Sequence, residues 1–136
     1  MNKEQIETAA EQFKEWNNRA FFPTRLQRHE AMKAILFNVQ EPYAVLEYPI
    51  EKYDGKRKGL IDYVDYESAI EIDDGPSVKS LRKLDYIRRR DNISVFWILI
   101  ISVGKGGKAR RLAETYEIPT LRILARNTGF TYIEWL

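Results

Sequence analysis

Residues 92–102, NISVFWILIIS, hold no charged side chain, and Val95 to Ile101 is apolar at every position. A strand exposed on one face alternates apolar and polar residues, whereas one buried on both faces does not. This run therefore predicts a central strand with cover above and below, and so a layered α/β fold. The helices for those layers are legible. From Lys3 to Asn17, the residues Ile6, Ala9, Ala10, Phe13 and Trp16 recur at helical spacing. FFPT breaks that helix, and Thr24 is placed to cap a second one, RLQRHEAMKAILFNVQ, with Met32, Ile35, Leu36 and Val39 as its apolar stripe. Pro42 closes it. YAVLEYPIE, LIDYVDYE and SAIEIDDG then read as three antiparallel strands, with KYDGKRKG as a loop. Ser77 is a good cap for a helix from Val78 to about Arg90, with Val78, Leu81, Leu84 and Ile87 on its buried face. After the buried strand come the loop VGKGGK, a short helix ARRLAETYEI ended by Pro119, and a strand TLRILARN. The closing GFTYIEWL is apolar enough to pack down or to meet a partner, a second copy included. The order is α α β β β α β α β in one domain, 1–136, with 1–20 as an N-terminal helical extension.

Other readings fall away on composition. The chain has no cysteine, which excludes disulfide frameworks, cysteine zinc sites and thiol nucleophiles. Its first residues are charged and amphipathic, without the apolar centre of a signal peptide, and its longest apolar run is too short to span a bilayer. A cytoplasmic protein without a membrane partner is expected. The net charge of +2 is unevenly spread. From Asp74 to Arg111 ten Lys and Arg face three Asp, a balance of +7, which leaves 2 − 7 = −5 on the rest. A basic segment beside an acidic cluster suits a site that attracts a phosphodiester backbone and holds a metal. A solvated basic helix face is the plainer alternative.

The acidic cluster lies in the hairpin IDYVDYESAIEIDDG, residues 61–75. With Tyr66 and Glu67 at its tip, the expected pairs are Asp65 with Ser68, Val64 with Ala69, Tyr63 with Ile70 and Asp62 with Glu71. Opposed residues hold their Cβ atoms roughly 4.5 to 5.5 Å apart, close enough for both carboxylates to share one ion. By alternation Asp73 joins Glu71, while Ile70 and Ile72 point into a core. Three oxygen ligands of like charge call for one protonated acid or a hard divalent cation, Mg²⁺ or Mn²⁺. Edge strands with solvated acids are the alternative.

This succession of helix, acidic hairpin, helix and buried strand resembles the PD-(D/E)XK nucleases, which share the restriction-endonuclease-like fold. The resemblance runs from about Thr24 onward and rests on Asp62, AIEID and SVKSLRKLDYIRRRDNISVFWIL. It is nearest in look to the branch of very-short-patch repair endonucleases. It implies a mixed sheet, an antiparallel hairpin plus a buried strand, flanked by helices. It also implies a Mg²⁺- or Mn²⁺-dependent endonuclease acting on DNA. Asp62, Glu71 and the backbone carbonyl of Ile72 would then be metal ligands. The lysine that this family uses to orient or activate water is replaced by Asp73. Lys79 or Lys83 on the next helix can supply it, with Lys83 preferred, and Asp73 becomes a third ligand or a general base. Glu30 corresponds to a glutamate often placed on the helix before the sheet, and it interrupts a row of Leu26, Ala34 and Phe37; a half-exposed helix acid is the other reading. His29 either assists a water or metal or simply packs at the surface. GKGGK lacks P-loop spacing. Lys105 and Lys108, with Arg110 and Arg111, are instead expected to contact DNA phosphates. Arg88, Arg89 and Arg90 either do the same or close their helix against its dipole. Two rivals remain: a silent module of the same fold that binds nucleic acid or protein, and an unrelated α/β binding domain.

Overall fold

The computed structural model describes residues 1–40, 43–51, 58–74, 78–90, 93–102, 111, 114, 115, 117–125 and 131–136. Helix α1 (Lys3–Arg19) starts in a capping box: the Asn2 side chain accepts the Gln5 N–H, and the Gln5 side chain accepts the Asn2 N–H. Helix α2 (Arg25–Gln40) begins the same way, with Thr24 Oγ1 accepting the Gln27 N–H at 3.1 Å and Gln27 Oε1 accepting the Thr24 N–H at 2.8 Å. Each box satisfies two of the N–H groups that a helix start leaves unpaired. The expected cap at Ser77 lies outside the described residues.

Six strands form one mixed sheet in the order β1 (Val45–Ile50), β2 (Gly59–Val64), β3 (Ser68–Asp73), β4 (Val95–Ser102), β5 (Thr120–Ala125) and β6 (Thr131–Trp135). The first three are antiparallel, β3, β4 and β5 run parallel, and β6 returns antiparallel to β5. Helix α3 (Val78–Arg90) is the crossover between β3 and β4. Of the short helix expected before β5, residues 111, 114 and 115 are helical and most others lie outside the described set. The closing segment packs down as β6: Arg122 of β5 meets Glu134 at 2.9 Å, and Trp135 lies 5.6 Å from Trp97 between ring centres.

Two cores flank the sheet, as the doubly apolar β4 requires. One joins Ile6, Ala10 and Phe13 of α1 and Met32 and Leu36 of α2 to Tyr63, Ile70, Ile72, Trp97, Leu99 and Ile101. The other joins Leu81, Leu84 and Ile87 of α3 to Ile61, Val64, Ala69 and Phe96. Among the described residues no helix is long and apolar enough to cross a membrane.

The alternation of β1 and β2 changes phase midway. Tyr63 packs toward α1 and α2, yet Ile61, two residues earlier, packs toward α3. In β1, Leu46 and Tyr48 part in the same way. Regular strands keep residues two apart on one face. The break falls where Glu47 would oppose Asp62: the pairs Leu46↔Tyr63 and Tyr48↔Ile61 bracket it, and Glu47 has φ 53°. That left-handed conformation is rare for a residue with a Cβ, and such strain gathers at functional sites.

Candidate active site

The expected β2–β3 register is present for Tyr63↔Ile70 and Val64↔Ala69, and the Asp65 N–H donates to Ser68 O at 2.9 Å across the tip. The expected direct pair of Asp62 with Glu71 is absent. From Asp62 onward the strands fork, and side chains take over the bonding. Asp62 Oδ2 accepts the Ile72 N–H at 2.7 Å, and Glu71 Oε1 accepts the Asp62 N–H at 3.2 Å. Two facing carboxylates repel, and a backbone N–H brought to each lowers that repulsion while keeping the backbone donors satisfied.

The fork divides the acids between layers. Asp62 turns toward α2, where His29 Nε2 lies 3.2 Å from its Oδ1. Glu71 and Asp73 turn toward α3, where Ser80 Oγ reaches Glu71 Oε2 at 3.1 Å and Asp73 Oδ1 at 2.9 Å. Lys83 Nζ stands 2.8 Å from Glu71 Oε2 and donates to Leu60 O at 2.8 Å. Of the two candidate lysines the structure brings Lys83 to the acids and leaves Lys79 exposed. One helical turn separates Ser80 from Lys83, so one face of α3 serves the cluster.

The acids are held away from water. Glu71 is 1% exposed, and burial, aided by the Asp62 charge, pushes its carboxyl up to about 7 even with Lys83 opposing. Burial likewise lifts Asp73 to about 6 against the Ser80 hydrogen bond. The hydrogen bond to Asp62 raises the His29 imidazole above its usual value. Of these two raised acids, Asp73 reaches a cleft and Glu71 lies behind it. A cleft of about 400 Å³ opens here, at the C-terminal ends of β3 and β4, lined by Arg25, Arg28, His29, Ile72, Asp73 and Ile101. Arg25 spans it to Asp74 at 2.6 Å.

Glu30 stands apart from the acids. Its carboxylate is exposed and held by Lys33 at 2.9 Å, and Lys33 also grips Glu47 at 2.8 Å. The row through Leu26 and Ala34 faces solvent, because α2 buries Arg28, Met32, Lys33 and Leu36 instead. Lys33 thus fixes the strained Glu47 against α2, opposite Asp62. Arg111 is exposed on a helical residue; Lys105, Lys108 and Arg110 lie outside the described residues. Arg88 lies 4.7 Å over the Phe96 ring, so this arginine covers a core aromatic.

The donor set tests the expected metal. Asp62, Glu71, Asp73 and the Ile72 carbonyl offer oxygen only, which suits Mg²⁺ or Mn²⁺. Burial first, and the Asp62 charge after it, raise Glu71 and Asp73, and a divalent cation would offset both by favouring the ionised acids. Among the described residues no group of three or more metal-ligating side chains is already assembled. With Asp62 on the α2 side and Glu71 and Asp73 on the α3 side, an ion would be held through one or two carboxylates and its own waters, as Mg²⁺ commonly is. Sequence reasoning missed Ser80 and the His29 contact with Asp62. The serine's helical offset of three from Lys83 was the available signal.

No family model matches the chain, no curated protein matches it, and no solved structure matches it.

Proposed function

We propose that this protein is a metal-dependent deoxyribonuclease of the restriction-endonuclease-like fold, hydrolysing phosphodiester bonds. One observation carries the reading: Lys83 Nζ, reaching in from α3, stands 2.8 Å from Glu71, so a buried helix lysine supplies the charge missing at position 73. The succession of α2, three antiparallel strands, α3 and a parallel buried strand supports it further.

Asp62, Glu71 and the Ile72 carbonyl would hold the ion, which supplies charge neutralisation at the phosphoryl oxygens and an acidified water. The residues do the rest. Lys83 is locked by Leu60 O and Glu71, so its ammonium is preorganised toward charge developing on phosphorus rather than free to swing. Asp73, near half-ionised at about pH 6, is placed in the cleft to accept a water proton, and Ser80 fixes its carboxylate. Arg25 and Arg28 line the same cleft and favour an anionic substrate.

One observation favours the silent module. Asp62 and Glu71 already take hydrogen bonds on all four oxygens from His29, Ile72, Asp62 N–H, Ser80 and Lys83. Such a closed network is stable without a substrate. Cleavage assays on single-stranded, duplex and branched DNA with Mg²⁺ or Mn²⁺ separate the two. Lys83→Ala is expected to lower cleavage about 10² to 10⁴-fold with DNA affinity kept, and Lys79→Ala to cleave like the parent. Binding with no metal-dependent cleavage by the parent makes the silent module the better account.

A further inference from the structure

The turn between α1 and α2 presents two aromatic rings to solvent. Phe21 is 90% exposed and Phe22 62% exposed, and Leu26 beside them is 67% exposed. The rings meet edge to face, with centres 4.8 Å apart and planes at 85°. Phe22 has φ 45°, a left-handed backbone that a phenylalanine adopts rarely. Pro23 is buried directly after it, which pins the turn and holds the pair outward. An outward aromatic pair on a strained, anchored turn is not explained by the two cores.

Three features say what it meets. Arg19, in the last turn of α1, and Arg25, which begins α2, flank the rings and are both exposed. Leu26 lines both the groove beside Phe21 and the cleft that holds Asp73, so the aromatic surface continues into the candidate active site. A second copy docking here through a two-fold axis would bring arginines of like charge together. Aromatic faces framed by arginine are instead the surface on which single-stranded nucleic acid binds: bases stack on rings, and guanidinium groups neutralise the phosphates between them. Continuous duplex offers no free base face.

We propose that Phe21 and Phe22, with Arg19 and Arg25, form a base-stacking platform that holds unpaired nucleotides of a single-stranded or locally opened DNA beside the cleft. The proposal rests on the nucleic-acid part of the functional reading and names its substrate class. Arg25 is paired with Asp74 across the cleft at 2.6 Å, so strand entry exchanges that carboxylate for a phosphate.

Anisotropy titrations without metal test this, using a fluorescent single-stranded oligonucleotide, the blunt duplex of the same sequence, and a 2-aminopurine strand that reports stacking. The parent is expected to favour the single strand. Phe21→Ala and Phe22→Ala should each weaken single-strand binding about 5- to 150-fold, abolish the 2-aminopurine signal and leave the salt slope unchanged. Phe21→Trp should restore both. Both positions of change are exposed, and thermal melts verify folding of each variant and of the double variant with both Phe21→Ala and Phe22→Ala. Unchanged single-strand affinity and 2-aminopurine response in the double variant overturn the platform. So does an equal loss on single strand and duplex, or a change confined to self-association. If the single strand binds through these rings and nothing is cleaved, only the nuclease reading falls. If cleavage persists while the double variant binds as the parent does, only the platform falls.

Discussion

Replacing Glu71 by Gln should stabilise the protein at alkaline pH, although it deletes a residue that forms a 2.8 Å ion pair. The folded Glu71 titrates at about 7 against an ordinary 4.5, because burial first and Asp62 second outweigh Lys83. That difference corresponds to roughly 3 kcal/mol of preference for the protonated form. The folded state binds this proton more tightly than the unfolded one. Stability from the group is therefore complete below pH 4.5, falls as pH rises toward about 7, and is flat above. Glutamine keeps the shape of the protonated acid and an oxygen for the Asp62 N–H, while its NH2 meets the Lys83 ammonium donor to donor, which makes the full pKa difference an upper bound on the gain. At pH 8 the variant should exceed the parent by up to roughly 3 kcal/mol, about 10 °C in Tm for a domain of this size. At pH 4 the gap should close. Thermal unfolding followed by circular dichroism between pH 4 and 8.5, with divalent ions chelated, measures it. A variant that melts below the parent at pH 8, by a margin independent of pH, would refute the reasoning and show that Lys83 holds a favourable charge.

The parent itself should lose stability between pH 4 and 7 through Glu71 and through Asp73, raised to about 6, and lose more above pH 6.5 through His29, raised by Asp62; a melt series checks this, and a stability maximum above pH 7 contradicts it. Mn²⁺ should raise the Tm, because a cation bound only by the folded state relieves repulsion among the acids, and calorimetric titration of Asp62→Ala should show the binding isotherm lost. Changing Lys105, Lys108, Arg110 and Arg111 together to Ala should weaken DNA binding and flatten its dependence on salt; an unmoved slope marks them as plain solvated surface. Thr24→Ala should cost about 1 kcal/mol in denaturant melts by emptying the α2 cap, and no loss would show the box to be redundant.

What periodicity governs was legible. The α1 stripe, the Thr24 cap, the burial of Ile70 and Ile72 on one face, and the covered β4 all follow from side-chain spacing, which is local. Lys83 was legible because a buried acid needs a cation and α3 offered two candidates. The fork at Asp62 was not, since it depends on Glu47 leaving the regular strand conformation, and nothing in YAVLEYPIE marks that residue. The contact of His29 with Asp62 depends on how α2 rolls over the sheet. That roll also turned the Leu26, Glu30 and Ala34 row outward, because Lys33 and Arg28 go inside instead, Lys33 gripping Glu30 and Glu47 and Arg28 Nε reaching Asn17 at 3.3 Å. Val78, expected on the buried face of α3, is 41% exposed at the start of that helix, where the register with the sheet is only beginning. β6 was read only as a segment able to pack down or to meet a partner, since its partner strand is fixed by the fold and not by its own pattern.

The phase change in β1 and β2 places Asp62 in neither hydrophobic face of the sheet. Ile61 belongs to one core and Tyr63 to the other, while the carboxylate between them bonds to Ile72 N–H and to His29 of α2 and belongs to neither core. Selection on packing therefore acts on the neighbours of Asp62 and hardly on Asp62 itself. An asparagine there keeps an acceptor for Ile72 and disturbs neither core. Under the proposed function, one substitution at this position would remove the chemistry while leaving both cores as they are.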